Sequence, residues 1–308
     1  MPWIKKGVVF STNNDYQWMV SHATYPTPLV LDDRIRVYFA PRGANGQSSI
    51  TFLDVDRADP TRVMAPPRCP VLAPGKLGTF DDCGVQPNCL VAHDGKIYLY
   101  YLGWNPGVNV LARNNTGLAI SGDCGETFVR MFDGPVLDRT MHEPYFTYTP
   151  WILIEDGIWH AWYGSGRGWV LVDEKAEGLF ETKYCYSVDG IHWVRPNITC
   201  IPPREEMEVN CRPTVVKQDN TYRMWYSVRK ADDFRGGANS YRIGYAESRD
   251  RTHWQRMDEA AGIDVTPGDW DSEMICYCSV AEFDGKLHMF YNGNGFGKTG
   301  FGYAVWED

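Results

Sequence analysis

The chain has no stretch of 18 uninterrupted apolar residues, so no membrane span is expected. It has no low-complexity run and no sustained heptad, which excludes collagen, coiled coils and long disordered tails. No segment of useful length carries a helical period. The first residues, Met1-Pro2-Trp3-Ile4-Lys5-Lys6-Gly7, lack the apolar core of a secretory signal, and a cytoplasmic location is expected. Positive charge is also short: 30 Lys and Arg stand against 39 Asp and Glu, a net charge of −9. Without a basic stripe an acidic chain repels phosphate backbones, so nucleic acid is not an expected partner. Nine cysteines make an odd set. Cys276-Tyr277-Cys278 is not a CxxC pair, and no second pair stands at zinc-site spacing. The expectation is buried thiols in a reducing compartment and no structural zinc.

What is abundant is aromatic residues, 14% of 308, and they recur in register. Five segments end the same way: Arg36-Val37-Tyr38-Phe39, Tyr98-Leu99-Tyr100-Tyr101, His160-Ala161-Trp162-Tyr163, Arg223-Met224-Trp225-Tyr226 and His288-Met289-Phe290-Tyr291. Their last residues lie 62, 62, 63 and 65 apart, so five periods fill the chain. Asp94-Gly95, Asp156-Gly157, Asp219-Asn220 and Asp284-Gly285 precede these segments as hairpin turns. Third strands follow in four units. Then come turns such as Ser187-Val188-Asp189-Gly190 and Ser248-Arg249-Asp250-Arg251, and a fourth strand opened by an aromatic. These turns resemble the Asp-box of sialidases, a structural device. Four strands in each of five units predict an all-β, five-bladed β-propeller in one domain over 1–308. Its blades are read as about 20–63, 80–131, 143–196, 206–257 and 271–308 plus 1–10. The fifth unit stops after three strands, and Trp3-Ile4-Lys5 matches Trp193-Val194-Arg195 and Trp254-Gln255-Arg256. The N-terminal strand is therefore expected to close the last blade.

First strands of propeller blades line the channel. Aligned on Pro26, Pro87, Pro150, Pro213 and Cys278, and alternating with period two, they send one mostly polar set to the mouth. Asp82, Glu208 and Glu273 share one register in that set, with Gln86, Asn210, Arg212 and Tyr277 on the same face. Glu143 and Asp271 stand two positions earlier. The mostly apolar alternate set, His22, Thr24, Phe146, Tyr148 and their equivalents, is read as packing between blades. Loops after the second strands add Arg42, Trp104, Asn105, Arg167, Arg229 and Asn294, and His22 lies near the same rim. Aromatic faces, amides and charges around a mouth suit a sugar. Converging carboxylates suit glycoside cleavage, which needs one protonated acid and one ionised base or nucleophile. Clustering separates their pKa values. No cofactor is implied. The acids leave room for calcium or another metal in the channel.

Phe80-Asp81-Asp82-Cys83-Gly84-Val85, Tyr100-Tyr101-Leu102-Gly103-Trp104-Asn105, Gly134-Pro135-Val136-Leu137-Asp138-Arg139, Tyr241-Arg242-Ile243-Gly244-Tyr245-Ala246-Glu247-Ser248 and Trp270-Asp271-Ser272-Glu273-Met274 resemble a known group. It is the bacterial glycosylase-like proteins of the five-bladed propeller glycosidase superfamily, which includes arabinanases, invertases and mannoside phosphorylases. The resemblance implies a carbohydrate-active enzyme using first-strand acids, often beside surface-polysaccharide biosynthesis. On it, Asp82 is the expected base or charge stabiliser and Glu208 or Glu273 the general acid, with Glu143 and Asp271 in reserve. Arg212 is expected to position substrate. The hydrolases' Asp before Pro is replaced here by Tyr25, Gln86, Thr149 and Arg212, and the first blade's strand has no carboxylate. Phosphorolysis or glycosyl transfer, and sugar binding without turnover, therefore stay open beside hydrolysis.

Overall fold

The computed structural model describes residues 2–307. After β1 (Trp3–Phe10), blade 1 is β2 (Ser21–Val30), β3 (Arg34–Arg42), β4 (Thr51–Asp56) and β5 (Val63–Ala65). Blade 2 is β6 (Gly84–His93), β7 (Lys96–Asn105), β8 (Arg113–Ser121) and β9 (Val129–Arg130). Blade 3 is β10 (Thr147–Glu155), β11 (Ile158–Val172), β12 (Lys175–Ser187) and β13 (Val194–Ile201). Blade 4 is β14 (Glu208–Gln218), β15 (Thr221–Lys230), β16 (Arg242–Ser248) and β17 (Trp254–Arg256). Blade 5 is β18 (Cys276–Phe283), β19 (Lys286–Asn292), β20 (Phe301–Trp306) and, as its outer strand, β1. The protein is an all-β, five-bladed propeller. No helix among the described residues is long and apolar enough to cross a membrane.

Ring closure follows the expected register. Trp3 pairs with Trp306 and Lys5 with Ala304 across an antiparallel ladder. Trp3, Trp225 and Trp306 form a mutual edge-on cluster with centroids 5.1–5.8 Å apart. The nearly complete burial of Trp3 alone stabilises the seam by about 2–3 kcal/mol. Asn292 seals the inner edge. Its side chain accepts from Tyr25 N–H and donates to the carbonyls of Ala23 and Gly300.

The Asp-Gly pairs make left-handed hairpin turns, with φ near 50° at Asp94, Asp156 and Asp284 and 70–77° at the glycines that follow. The Asp-box turns connect neighbouring blades. Tyr38 Oη donates to Gly125 O at 2.6 Å, Tyr100 Oη to Gly190 O at 2.7 Å, and Trp162 Nε1 to Arg251 O at 2.9 Å. In each, an aromatic of one blade's second strand reaches the turn of the next blade. Gly190 is required there: its φ is 72°, and a Cβ would lie 2.6 Å from the Tyr100 hydroxyl. Asp189 holds the turn by accepting the N–H groups of Ile191 and His192.

Two second strands carry a buried histidine paired to a third-strand tyrosine, His160 with Tyr184 and His288 with Tyr303, both at 2.6 Å. His288 also meets the Phe283 carbonyl. Burial pushes His288 from 6.5 down to about 4 and lowers His160. Burial, then the nearby Arg42 and Lys298 charges, brings His22 to about 4 as well. A histidine with a depressed folded pKa takes its proton more readily when unfolded, so stability falls as pH falls below 6.5. Thermal melts should therefore show Tm dropping between pH 6.5 and 5, above the range where carboxylates titrate. His288→Gln should flatten that slope, and an unchanged slope would remove His288 from the account.

Candidate functional site

The first strands do not run straight through the register read from sequence. Tyr25, Thr149, Arg212 and Tyr277 have φ of 60°, 36°, 53° and 54°, and the ladder slips at each one. A left-handed residue inside a strand is a bulge, and a bulge ends period-two alternation. Asp82 and Glu273 precede their strands altogether, in turn and bend segments. The face assignment fails for these physical reasons. Phe146, Tyr148 and Thr24, expected between blades, open into the pocket. Asp82, Glu208 and Glu273 are not among the residues that line it.

Carboxylates of four blades belong to a repeated lock. Asp81 accepts from Tyr101 at 3.0 Å and Arg130 at 2.8 Å. Glu143 accepts from Tyr163 at 2.7 Å, Ser165 at 2.6 Å and Arg195 at 3.1 Å. Asp271 accepts from Tyr291 at 3.1 Å and Lys5 at 2.6 Å. In blade 4 the acid is doubled: Asp258 takes Tyr226, and Arg256 bridges Asp258 at 2.7 Å and Glu208 at 2.5 Å. Acid, second-strand tyrosine and fourth-strand base thus recur in four blades, with Lys5 of the closing strand as the base of blade 5. Blade 1 has Phe39 in place of the tyrosine, packed on Phe10 at 5.1 Å. Burial would raise Glu143, but its hydrogen bonds and Arg195 outweigh burial and hold it below the ordinary range. It stays ionised at neutral pH, unsuited to donate a proton.

The other expectations divide in the same way. Gln86, Trp104, Tyr277, Arg42 and Arg229 line the pocket. Asn210 instead bridges Thr182 N–H and Ile201 O, joining blade 4 to blade 3. Asn105 donates to Thr79 O, and Asn294 accepts the N–H groups of Glu273 and Met274. Arg167 donates to the carbonyls of Glu206 and Glu208. His22 meets Ser21 Oγ at 2.9 Å beside the rim. These polar groups are engaged with the backbone or with neighbours, away from the pocket lining. Arg212, expected to touch substrate, is fully buried. It donates to Thr27 and Ser279, each at 2.9 Å, and to Asn88 O, while its own N–H meets Thr149 Oγ1. Burial lowers its pKa, and no carboxylate is among its partners.

The pocket is a cup of about 470 Å³, in the range of small-ligand sites, at the end where first strands begin and second strands finish. Each blade contributes. Tyr25 and Tyr277 stack at 4.3 Å with planes 10° apart. Tyr148 Oη lies 2.5 Å from Tyr25 Oη. Burial raises both phenols, so they are neutral hydrogen-bonding groups at physiological pH. Trp104, Phe146, Trp169, Phe180, Phe234, Tyr241 and Phe296 add aromatic surface. Among the lining residues one carboxylate is present, Glu177 on β12, buried and 2.6 Å from Arg235. Sequence reading missed it because it lies in the extended β11–β12 hairpin, outside the repeat. Its two strands, 15 and 13 residues long, are the longest among the described residues. A second cavity of about 370 Å³ shares Glu177, Phe234 and Arg235 and continues past Asp173, Lys175 and Asp233. Among the described residues no three His, Cys, Asp or Glu side chains are grouped to hold a metal ion.

The fold is a five-bladed propeller, one that solved glycoside hydrolases share. Solved structures with this fold include a protein in an RGII complex (TM-score 0.78, 16% identity, 99% of this protein and 91% of that one). A glycoside hydrolase matches with TM-score 0.77 and 16% identity over 99% and 91% of the two proteins. A thermostable family-43 glycoside hydrolase matches with TM-score 0.67 and 17% identity over 97% and 94%. No protein-family model matches the sequence. Two proteins of Mycobacterium tuberculosis, uncharacterized protein MT1551 and uncharacterized protein Rv1502, are 37% identical over the full length of both sequences. The chain belongs to the family of these mycobacterial proteins.

Glu143→Gln should act on the fold. Weakening a buried ion pair and leaving Arg195 uncompensated should cost about 3 kcal/mol. Chemical denaturation should show this loss, and full stability in the variant would remove Glu143 from the lock.

Proposed function

We propose that the protein is carbohydrate-active: its cup binds a saccharide, and Glu177 is the lining acid that exchanges a proton with the glycosidic oxygen. The observation that carries this is a cup built by all five blades, aromatic around its wall, with few polar ends. Sugars present C–H faces to rings and hydroxyls to such ends. The similar fold of the protein in the RGII complex supports a carbohydrate ligand. Nine free cysteines support a reducing compartment. Hydrolysis with two carboxylates across the sugar is not the form favoured, because the cup wall supplies one. Transfer to phosphate needs a single protein carboxylate, since the acceptor is already an anion and its oxygen attacks the anomeric carbon without a protein base. Glu177 then gives its proton to the departing oxygen. The Glu177–Arg235 ion pair favours a second reading, binding without turnover, because the guanidinium already engages a carboxylate oxygen at 2.6 Å.

Mass spectrometry of a glycoside and sugar-phosphate panel, with and without phosphate, separates these readings. A sugar phosphate formed only with phosphate is the expected product. Glu177→Gln should abolish turnover and leave binding by calorimetry intact, whereas wild-type rates in that variant would end its assignment. Trp104→Ala should weaken binding about tenfold through lost ring contact. Tight binding without any product would select the second reading.

A further inference from the structure

Arg229 lines the cup and is 7% exposed. Among the described residues no carboxylate pairs with it. Its one hydrogen bond donates Nη1–H to the Lys230 carbonyl at 2.6 Å, and its buried Nε has no partner. Its guanidinium sits 3.6 Å from the centroid of Phe234, with Tyr241 at 5.4 Å and Phe180 at 5.6 Å. Ring faces offset part of the loss of water but leave the buried Nε–H without a partner. A desolvated cation normally has an anion beside it, because an unpaired buried charge is costly. The contrast within the molecule is sharp. Arg130, Arg195 and Arg256 each hold a carboxylate, and Arg235 on the same wall holds Glu177. Arg42, on the opposite wall, also lacks an acidic partner among the described residues, and its charge helps keep the nearby His22 neutral. The cup is therefore locally positive in a protein of net charge −9.

We propose that the cup takes a saccharide bearing an oxyanion, a uronate carboxylate or a phosphate ester, with Arg229 as its ligand and Arg42 at the entrance. This rests on the saccharide reading above and adds the charge of the ligand. A planar guanidinium presents two parallel N–H donors, which match the two oxygens of a carboxylate or phosphate. The stacked Tyr25 and Tyr277 rings remain for the sugar face.

Calorimetry with matched pairs tests it: glucuronate against glucose, galacturonate against galactose, mannose 1-phosphate against mannose, with inorganic phosphate alone as a further arm. The charged member of a pair should bind at least about tenfold tighter than its neutral partner, and the advantage should shrink with added salt. Preference for the uronates identifies a carboxylate ligand. Preference for the sugar phosphate identifies a phosphate ester, and binding of inorganic phosphate with similar strength assigns the subsite to a phosphate co-substrate. Arg229→Gln should erase the advantage. Arg229→Lys keeps charge and bulk, should fold where Gln does not, and should retain part of it. Arg42→Ala should lower it less. Equal binding of neutral and charged partners overturns this inference and leaves the saccharide reading standing. Absence of binding by every sugar overturns both.

Discussion

Everything at the centre of the ring depends on one buried cation. The Arg212 guanidinium reaches oxygens of blades 1, 2 and 5 from blade 4, and its backbone N–H is held by blade 3. Removing a guanidinium from water costs several kcal/mol, and no carboxylate is there to offset it. Neutral oxygens from three other blades do so together, helped by the Tyr25 ring at 5.2 Å. That arrangement requires all five first strands to stand at one radius. It explains why the seam between the last blade and the first is fastened twice, by the Trp3 cluster outside and Asn292 inside. It also blocks the channel. A through-pore becomes a blind cup, with Tyr25 and Tyr277 stacked above the plug.

The same economy of charge governs the acids. A repeat protein is stabilised by repeating its contacts, so an acid found at one register in several blades is first a candidate for a blade contact. Asp81, Glu143, Asp258 and Asp271 each meet a tyrosine from the second strand and a base from the fourth. The inner and outer strands of a blade are separated by two others, and at the blade's end the lock spans them. A charge-assisted bridge there resists splaying of the sheet. Glu143 and Asp271, expected to serve glycoside cleavage, hold such blade contacts here.

The ring was legible because its signals are local or periodic. Aromatic spacing, Asp-Gly turns and the unpaired Trp3-Ile4-Lys5 strand each report on backbone geometry within a few residues. Even the chemistry of closure was readable, since Lys5 stands where other blades have arginine. The cup was legible only in part. Trp104, Arg42 and Arg229, expected in loops after the second strands, fall in the last two positions of those strands, and that placement alone brought them to the right end. Asp82, Glu208 and Glu273 lie outside the cup lining because alternation was carried across residues that break it and past the strand starts. Left-handed backbone at Tyr25, Thr149, Arg212 and Tyr277 has no reliable mark in sequence: none is glycine or asparagine, and tertiary contacts hold each one in place.

Function in such a ring must use what the repeat leaves over. Four blades commit their rim acids to locks, and the blade without one offers aromatic packing instead. The groups free to face a ligand therefore come from departures: the extended β11–β12 hairpin with Trp169 and Glu177, the 231–241 loop with Phe234 and Arg235, and Arg229 just before it. These departures fall on adjacent blades 3 and 4, which makes the cup lopsided. One wall carries the acid and the buried cation, and the opposite wall carries Arg42, Trp104 and Gln86. A five-fold scaffold has no direction of its own. On the proposed saccharide reading, the asymmetry gives the sugar one orientation, with a ring face against the tyrosines and its polar end toward the wall that the repeat did not build.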